Sequence, residues 1–307
     1  MRRPYRGPED VGRLQQFAAQ QVKNHGRIGN LHPGDVPHRI FNALRDDEPR
    51  DVVHIWEDDQ GAIAAWTLLD PRGGGFDAQI APPRRATSPH LERDLNVWSE
   101  ETLLALMAEH GSEVASIETE AFVDDAPRVD LLNRLGWVRD ERSMIVLGRR
   151  GLNNVDAPRL PPGYRLRSAL GVDEAGALAE LHAAGFGARW TAEQYRRLVV
   201  SPGYDPSREL VVETVDGDLA AFCVTWPDGI NRTGLFEPVA VHPDHRRRHL
   251  AGALLRAGML LMKDWGMDTA EVVYEEDNPG ADRLYRGAGF EPVAEIAVYR
   301  KPISRES

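Results

Sequence analysis

The sequence predicts an α/β protein with a mixed sheet, in which one fold is written twice in tandem. Three observations predict it. The chain has 307 residues, and at roughly 150 residues per domain that length favours two domains. Two distant pairs of segments match at nearly the same spacing: Glu57–Trp66 with Glu213–Phe222, setting Gly61 on Gly217, and Leu131–Trp137 with Leu284–Phe290, setting Gly136 on Gly289. The second half also reads, element by element, as β-αα-βββ-α-β-α-β.

Its elements follow from local chemistry. Tyr164–Ser168 is a short strand, and Val172–Ala184 carries apolar residues at helical spacing. Thr191 and Gln194 have the capping-box form, so a helix starts there and runs to about Val200. Glu209–Thr214, Leu219–Trp226 and Thr233–Val241 are β-rich runs separated by turn residues; the first two, like Glu57–Trp66, form a hairpin about a glycine-containing turn. Ala251–Gly266 is a helix with one apolar face. Thr269–Tyr274 is a strand, Asn278-Pro279-Gly280 opens a short helix ending near Gly289, and Pro292–Arg300 closes the chain as a strand. The stretch Gly151–Gly163, rich in Asn and Pro, has linker composition and divides the chain into residues 1–150, a linker 151–162 and residues 163–307.

Composition narrows the function. Hydrophobic residues make up 42% and charged residues 28%, the mix of a folded water-soluble protein. The apolar run Ala253–Met262 is interrupted by Arg256 and is too short to span a bilayer, which needs roughly 20 residues. Charge and Pro follow Met1 where a secretory signal needs an apolar run, so a cytoplasmic protein with no membrane partner is expected. The net charge of −11 opposes binding to nucleic acid and suits an amine-bearing partner. A single cysteine, Cys223, excludes an internal disulfide and a cysteine-based zinc site, and reads as a small core residue.

The chemistry concentrates in Phe236–Leu255, a buried strand turning into a helix. Free amides at a helix start, with arginines beside them, suit a diphosphate. This segment resembles motif A of the GNAT acetyltransferase superfamily, whose Arg/Gln-x-x-Gly-x-Gly/Ala signature cradles the pyrophosphate of acetyl-CoA. Arg246 stands at its first position and Ala251 at its last; His249 replaces the middle glycine, so a side chain stands where the family brings backbone close to phosphate. Asn278-x-x-Ala281-x-x-Leu284-Tyr285-x-x-x-Gly289-Phe290 is similar to the family's second signature, beside the thioester. The resemblance covers about residues 163–300 well and the first half weakly. It implies two tandem domains of this family, each a mostly antiparallel central sheet flanked by helices.

The resemblance also assigns roles. It implies acetyl-CoA as acyl donor, bound by Val239, Val241, Arg246, Arg247, Arg248, His249, Leu250, Ala251, Gly252 and Asn278, with the Val239 amide polarising the thioester carbonyl and no metal required. Glu237 lies on the strand that carries the family's base and is the expected acceptor of the ammonium proton; the alternative is a salt-bridged surface carboxylate. Tyr285 matches the tyrosine that protonates the departing thiolate, against the alternative of a core tyrosine. Phe186, Trp190 and Trp226 line the acceptor cleft or are core aromatics. His242 and His245, lacking a third ligand, read as turn histidines.

The first half looks like a degenerate, non-catalytic copy. Aligning Ala81-Pro82 with His242-Pro243 sets Phe76 opposite Glu237, and Pro89 removes an amide from the phosphate turn. Leu132 falls opposite Tyr285 and Asp125 opposite Asn278, while Arg84 and Arg85 remain as anion ligands. The expected activity is therefore acetyl transfer to a primary amine of a small molecule by direct attack in the second half. Protein amines as acceptor, and a non-catalytic acyl-CoA-binding or regulatory module, are the alternatives; turnover of acetyl-CoA with an amine panel separates them. Acceptor identity and oligomeric state are not encoded in any local pattern.

Overall fold

The computed structural model describes residues 1–44 and 46–303. The first half runs β1 (Arg2–Pro4), α1 (Pro8–His25), α2 (Asp35–His38), α3 (Pro49–Val52), β2 (Val53–Glu57), β3 (Ile63–Asp70), β4 (Gly75–Ile80), α4 (Pro82–Thr87), α5 (Leu91–Glu109), β5 (Ser116–Phe122), α6 (Ala126–Arg134) and β6 (Val138–Gly151). The second half runs β7 (Tyr164–Ser168), α7 (Ala175–Phe186), α8 (Ala192–Val199), β8 (Glu209–Thr214), β9 (Leu219–Asp228), β10 (Thr233–Val241), α9 (Leu250–Asp264), β11 (Thr269–Glu275), α10 (Pro279–Gly287) and β12 (Glu291–Pro302). The second-half order agrees with the sequence reading. One boundary moves: Gly171–Glu174 is a 3-10 turn, so the helix expected from Val172 starts at Ala175.

Local signals explain the ends. The capping box at Thr191 and Gln194 is formed in both directions. Asp125 and Asn278 cap α6 and α10 from equivalent places, and Gly136 and Gly289 leave those helices at φ of 82° and 86°, a left-handed turn that favours glycine.

All strands belong to one 12-stranded mixed sheet, in the order β1-β2-β3-β4-β5-β12-β6-β11-β10-β9-β8-β7. The two halves exchange their last strands. β12 pairs with β5 of the first half, Ile296 opposite Phe122, while β6 pairs with β11 of the second, Val146 opposite Tyr274. The exchange reaches the cores: Ala297 and Tyr299 of β12 pack with Leu132 and Trp137, and Val146 of β6 packs with Val272 and Phe290. Burying those side chains between the halves contributes roughly 1.5–3 kcal/mol for each large one. The segment 151–162, expected as a linker, connects β6 to β7.

The first half reaches the second at another place. The loop before α2 crosses onto β10: His32 Nε2 is 3.2 Å from the Thr233 carbonyl, and Gly34 lies so close to Trp226 that a Cβ there would fall 2.3 Å from the indole's own Cβ. Beneath it Glu271, 1% exposed, accepts from both Arg27 and Arg149, so a buried carboxylate is matched from two sides. No helix among the described residues is long and apolar enough to cross a membrane.

Candidate active site

A gap in the sheet makes the site. β10 pairs in parallel with β11 only from Thr233 to Phe236; beyond that point the strands diverge. A bulge between Phe236 and Val239 interrupts the pairing with β9 at the same level, where Pro238 has no amide to donate. Past the bulge, the His242 amide bonds the Ala220 carbonyl on β9 at 2.9 Å. Amides alternate sides along a strand, so those of Val239 and Val241 point away from β9, into the gap. A cleft of about 700 Å³ opens there, lined by Phe186, Val239, Val241, Leu250, Asn278 and Tyr285 among others.

The bulge turns Glu237 inward toward the first half. Trp226 Nε1 donates to the Glu237 carbonyl at 2.7 Å and fixes the bulge. Glu237 Oε1 is 3.3 Å from His38 Nε2 at the end of α2, and the carboxylate side chain is 25% exposed. Despite that opening, burial is the main influence and pushes the carboxyl up to about 8; the Asp35 charge adds to the rise and Arg39 opposes it. Burial, with Arg39 and His182 beside it, pushes His38 down to about 3, so its imidazole is neutral. With the imidazole held neutral, the carboxyl is the group of this pair that exchanges its proton near neutral pH.

Tyr285 stands on α10, close enough to feel the charge of Glu237. It is 8% exposed, packs on Tyr274 and Phe290, and lines the cleft. Burial raises the phenol well above its ordinary value, with the Glu237 charge as the next influence, so the hydroxyl keeps its proton. Asn278 lines the same cleft, but its carboxamide oxygen is used in capping, accepting from the amides of Gly280 and Ala281.

At the far end lies the turn into α9. Arg247 and His249 have φ of 61° and 63°, so the backbone is left-handed at both. His249 thus keeps the conformation a glycine would adopt, despite its side chain. Such alternation curls successive amides toward one point, and the amides of Leu250, Ala251 and Gly252 have no partner inside the helix. Arg246 anchors the turn through the carbonyls of Val241 and Gly185, whereas Arg248 is exposed and lies outside the cleft lining. Burial of Leu254, Leu255 and Met259 holds α9 on the sheet, and Gly258 permits the approach: a Cβ there would meet Phe236 at 2.4 Å.

Of the three aromatics, Phe186 is 48% exposed and lines the cleft. Trp190 is buried against His182 and Tyr195, and Trp226 is buried under the first-half loop, where its indole serves the Glu237 carbonyl. His245 bonds the Tyr164 hydroxyl at 2.8 Å; no group of three or more metal-ligating side chains is present among the described residues. Sequence reasoning missed His38, Asp35 and Arg39, which only tertiary packing brings to Glu237. It also missed Arg256, whose break in the apolar run of α9 was the available signal.

The matching gap in the first half is narrowed by its own side chains to a cavity of about 30 Å³, lined by Asp77, Arg85, Glu120 and Arg128 among others. Register corrects the alignment there: Phe76 pairs with Leu69 as Phe236 pairs with Thr225, because β4 has no bulge. Asp77, not Phe76, stands opposite the Glu237 bulge, and Arg39 holds it. Arg85 is clamped by Glu92 and Asp125, and Arg84 pairs with Asp58, so neither arginine is left for an outside anion. Leu132, at the place of Tyr285, is fully buried.

Residues 176–290 match the acetyltransferase (GNAT) family. Among curated proteins, the chain is 28% identical over 256 residues to a mycothiol acetyltransferase of Kineococcus radiotolerans, covering 81% of each chain. It is 29% identical to one of Clavibacter sepedonicus, over 83% of this chain and 78% of that one. Among solved structures, a GCN5-related N-acetyltransferase from Sphaerobacter thermophilus aligns over 98% of this chain and 95% of its own, with a TM-score of 0.66 at 21% identity. A tandem GNAT protein from the clavulanic acid biosynthesis pathway aligns over 100% and 99%, with a TM-score of 0.67 at 18% identity. These two similarities concern the fold.

Proposed function

We propose that this chain, whose residues 176–290 match the acetyltransferase (GNAT) family, is a tandem enzyme of that kind whose second half transfers an acetyl group from acetyl-CoA to a primary amine of a small molecule, by direct attack within the gap between β10 and β11. What carries the reading is that the Val239 backbone and the Tyr285 side chain line that gap with an amide-rich turn at its far end, while the Glu237 carboxyl stands two residues along β10, outside the cleft lining and against the first half. The diphosphate sits on the turn at Arg246–Gly252 and the thioester arm runs along β10. The Val239 amide receives the carbonyl oxygen as charge develops on it.

An ammonium acceptor has to lose a proton before it attacks. Glu237 takes it, directly or through water, and a carboxyl raised to about 8 is a stronger base than an ordinary glutamate. The nitrogen lone pair then forms the new C–N bond, the C–S bond breaks, and the Tyr285 hydroxyl gives its proton to the departing thiolate. The first half serves as the wall of the acceptor pocket, with His38, Asp35 and Arg39 around Glu237, and has no transferase site of its own. The names of the curated relatives make mycothiol-type amines the first members of the panel to test.

The experiment is release of free thiol from acetyl-CoA against a panel of small amines and lysine peptides. Turnover with a small amine supports the reading; turnover only with peptides would move the acceptor to protein amines. Binding of acetyl-CoA without turnover of any amine would leave a regulatory module.

A further inference from the structure

The arginines of this chain divide by what holds them. In the first half and along the sheet, carboxylates do: Arg3 with Asp10, Arg85 with Glu92, Arg149 with Glu271, Arg167 with Glu213. Beside α9 the pattern reverses, in a protein whose acids outnumber its bases by 48 to 37. Arg256 donates to the Gly252 carbonyl and Arg150 to the carbonyls of Ala288 and Asn154. Among the described residues neither these two nor Arg159 forms an ion pair.

These arginines surround two grooves that continue the diphosphate cleft outward. One, of about 430 Å³, runs between Arg150, Arg256 and the Arg286–Gly289 end of α10. The other, of about 420 Å³, lies under the connecting segment and is lined by Asp156, Ala157, Arg159, His249 and Arg256. Arg256 lines both grooves and the cleft itself. It stands about 9 Å along the helix axis from Leu250, beyond the amides that receive the diphosphate. Among the described lining residues Asp156 is the one acid, and Arg286 is held by Asp282. Among the described residues no Phe, Tyr or Trp lines either groove, so a stacked base does not account for the arginines.

Guanidinium groups without carboxylates, set past a diphosphate site, match a further phosphate by geometry and charge. We infer that the connecting segment 151–162 and the outer flank of α9 form a subsite for the 3′-phosphate of coenzyme A, with Arg256 and Arg159 as its principal ligands. The segment between the halves thereby reads the nucleotide end of the donor and distinguishes coenzyme A from donors that carry only the diphosphate arm. This inference rests on the acetyl-CoA reading above.

Calorimetric titration of the full-length protein with coenzyme A and with 3′-dephospho-coenzyme A tests it. Wild type is expected to bind coenzyme A ~10-fold or more tightly than the dephospho form, the scale of one or two charge-assisted contacts. Arg159→Ala, and Arg256→Ala more strongly, should narrow that ratio toward one. Equal affinities in wild type, or variants that weaken both nucleotides without changing the ratio, would overturn the subsite while leaving the acyl-CoA reading intact. Failure of both nucleotides to bind wild type would overturn that reading and the subsite with it.

Discussion

His38 of the first half lies 3.3 Å, Nε2 to Oε1, from Glu237 of the second, so the carboxylate proposed as base is walled by a side chain of the other half. Removing the imidazole lets water reach Glu237 and eases the burial that holds its carboxyl near 8. His38→Ala should therefore shift the rising limb of the kcat/KM profile toward lower pH, by on the order of one unit, and lower the plateau several-fold. A profile superimposable on wild type would show that the contact has no part in setting the base.

As the proposed base, Glu237 can accept a proton only when ionised. With its carboxyl raised to about 8, the active form is scarce in acid and accumulates as pH rises, so the rate should climb through about pH 8. Glu237→Gln keeps the shape and removes the base. At neutral pH it should lose roughly 10²-fold in kcat, with the loss narrowing at high pH, where more acceptor amine is already neutral. Retention of the wild-type profile would assign the proton to another group.

Tyr285→Phe deletes one hydroxyl from a ring whose packing against Tyr274 and Phe290 stays in place. The lost interaction strengthens only as negative charge grows on sulfur. kcat should thus fall on the order of tenfold or more while KM for acetyl-CoA changes little. A change in KM alone would make the residue a wall of the pocket.

His249 holds a left-handed conformation, at φ 63°, that a side chain disfavours. His249→Gly should be neutral to stabilising, by up to about 1 kcal/mol, since relief of the backbone is partly offset by the freer unfolded chain. Chemical denaturation reads the midpoint. A clear loss of stability would mean that the imidazole makes contacts outweighing the backbone.

What the sequence revealed of this fold is what local spacing encodes. The cap at Thr191, the glycine exits at Gly136 and Gly289 and the strand-turn-helix from Phe236 to Leu255 are all set by neighbours within a few residues. Phe76 was set against Glu237 because a bulge adds a residue to one strand without any change in apolar pattern, and register then slips by one. Arg84 and Arg85 read as anion ligands for the same kind of reason: Asp58 and Asp125, which hold them, are distant in sequence. The partner of β12 was equally hidden, since alternation shows that a strand has a buried face but not which edge receives it.

The exchange of β6 and β12 bears on how the molecule is made. A nascent first half leaves the ribosome with the edge of β5 uncovered and with places open for Ala297 and Tyr299, and both are filled by residues translated roughly 150 positions later. At common synthesis rates that wait lasts on the order of ten seconds. The first half is thus a client of a strand made with the second, and a ribosome that stops short of Glu291 releases two unfinished cores instead of one finished domain and one missing one.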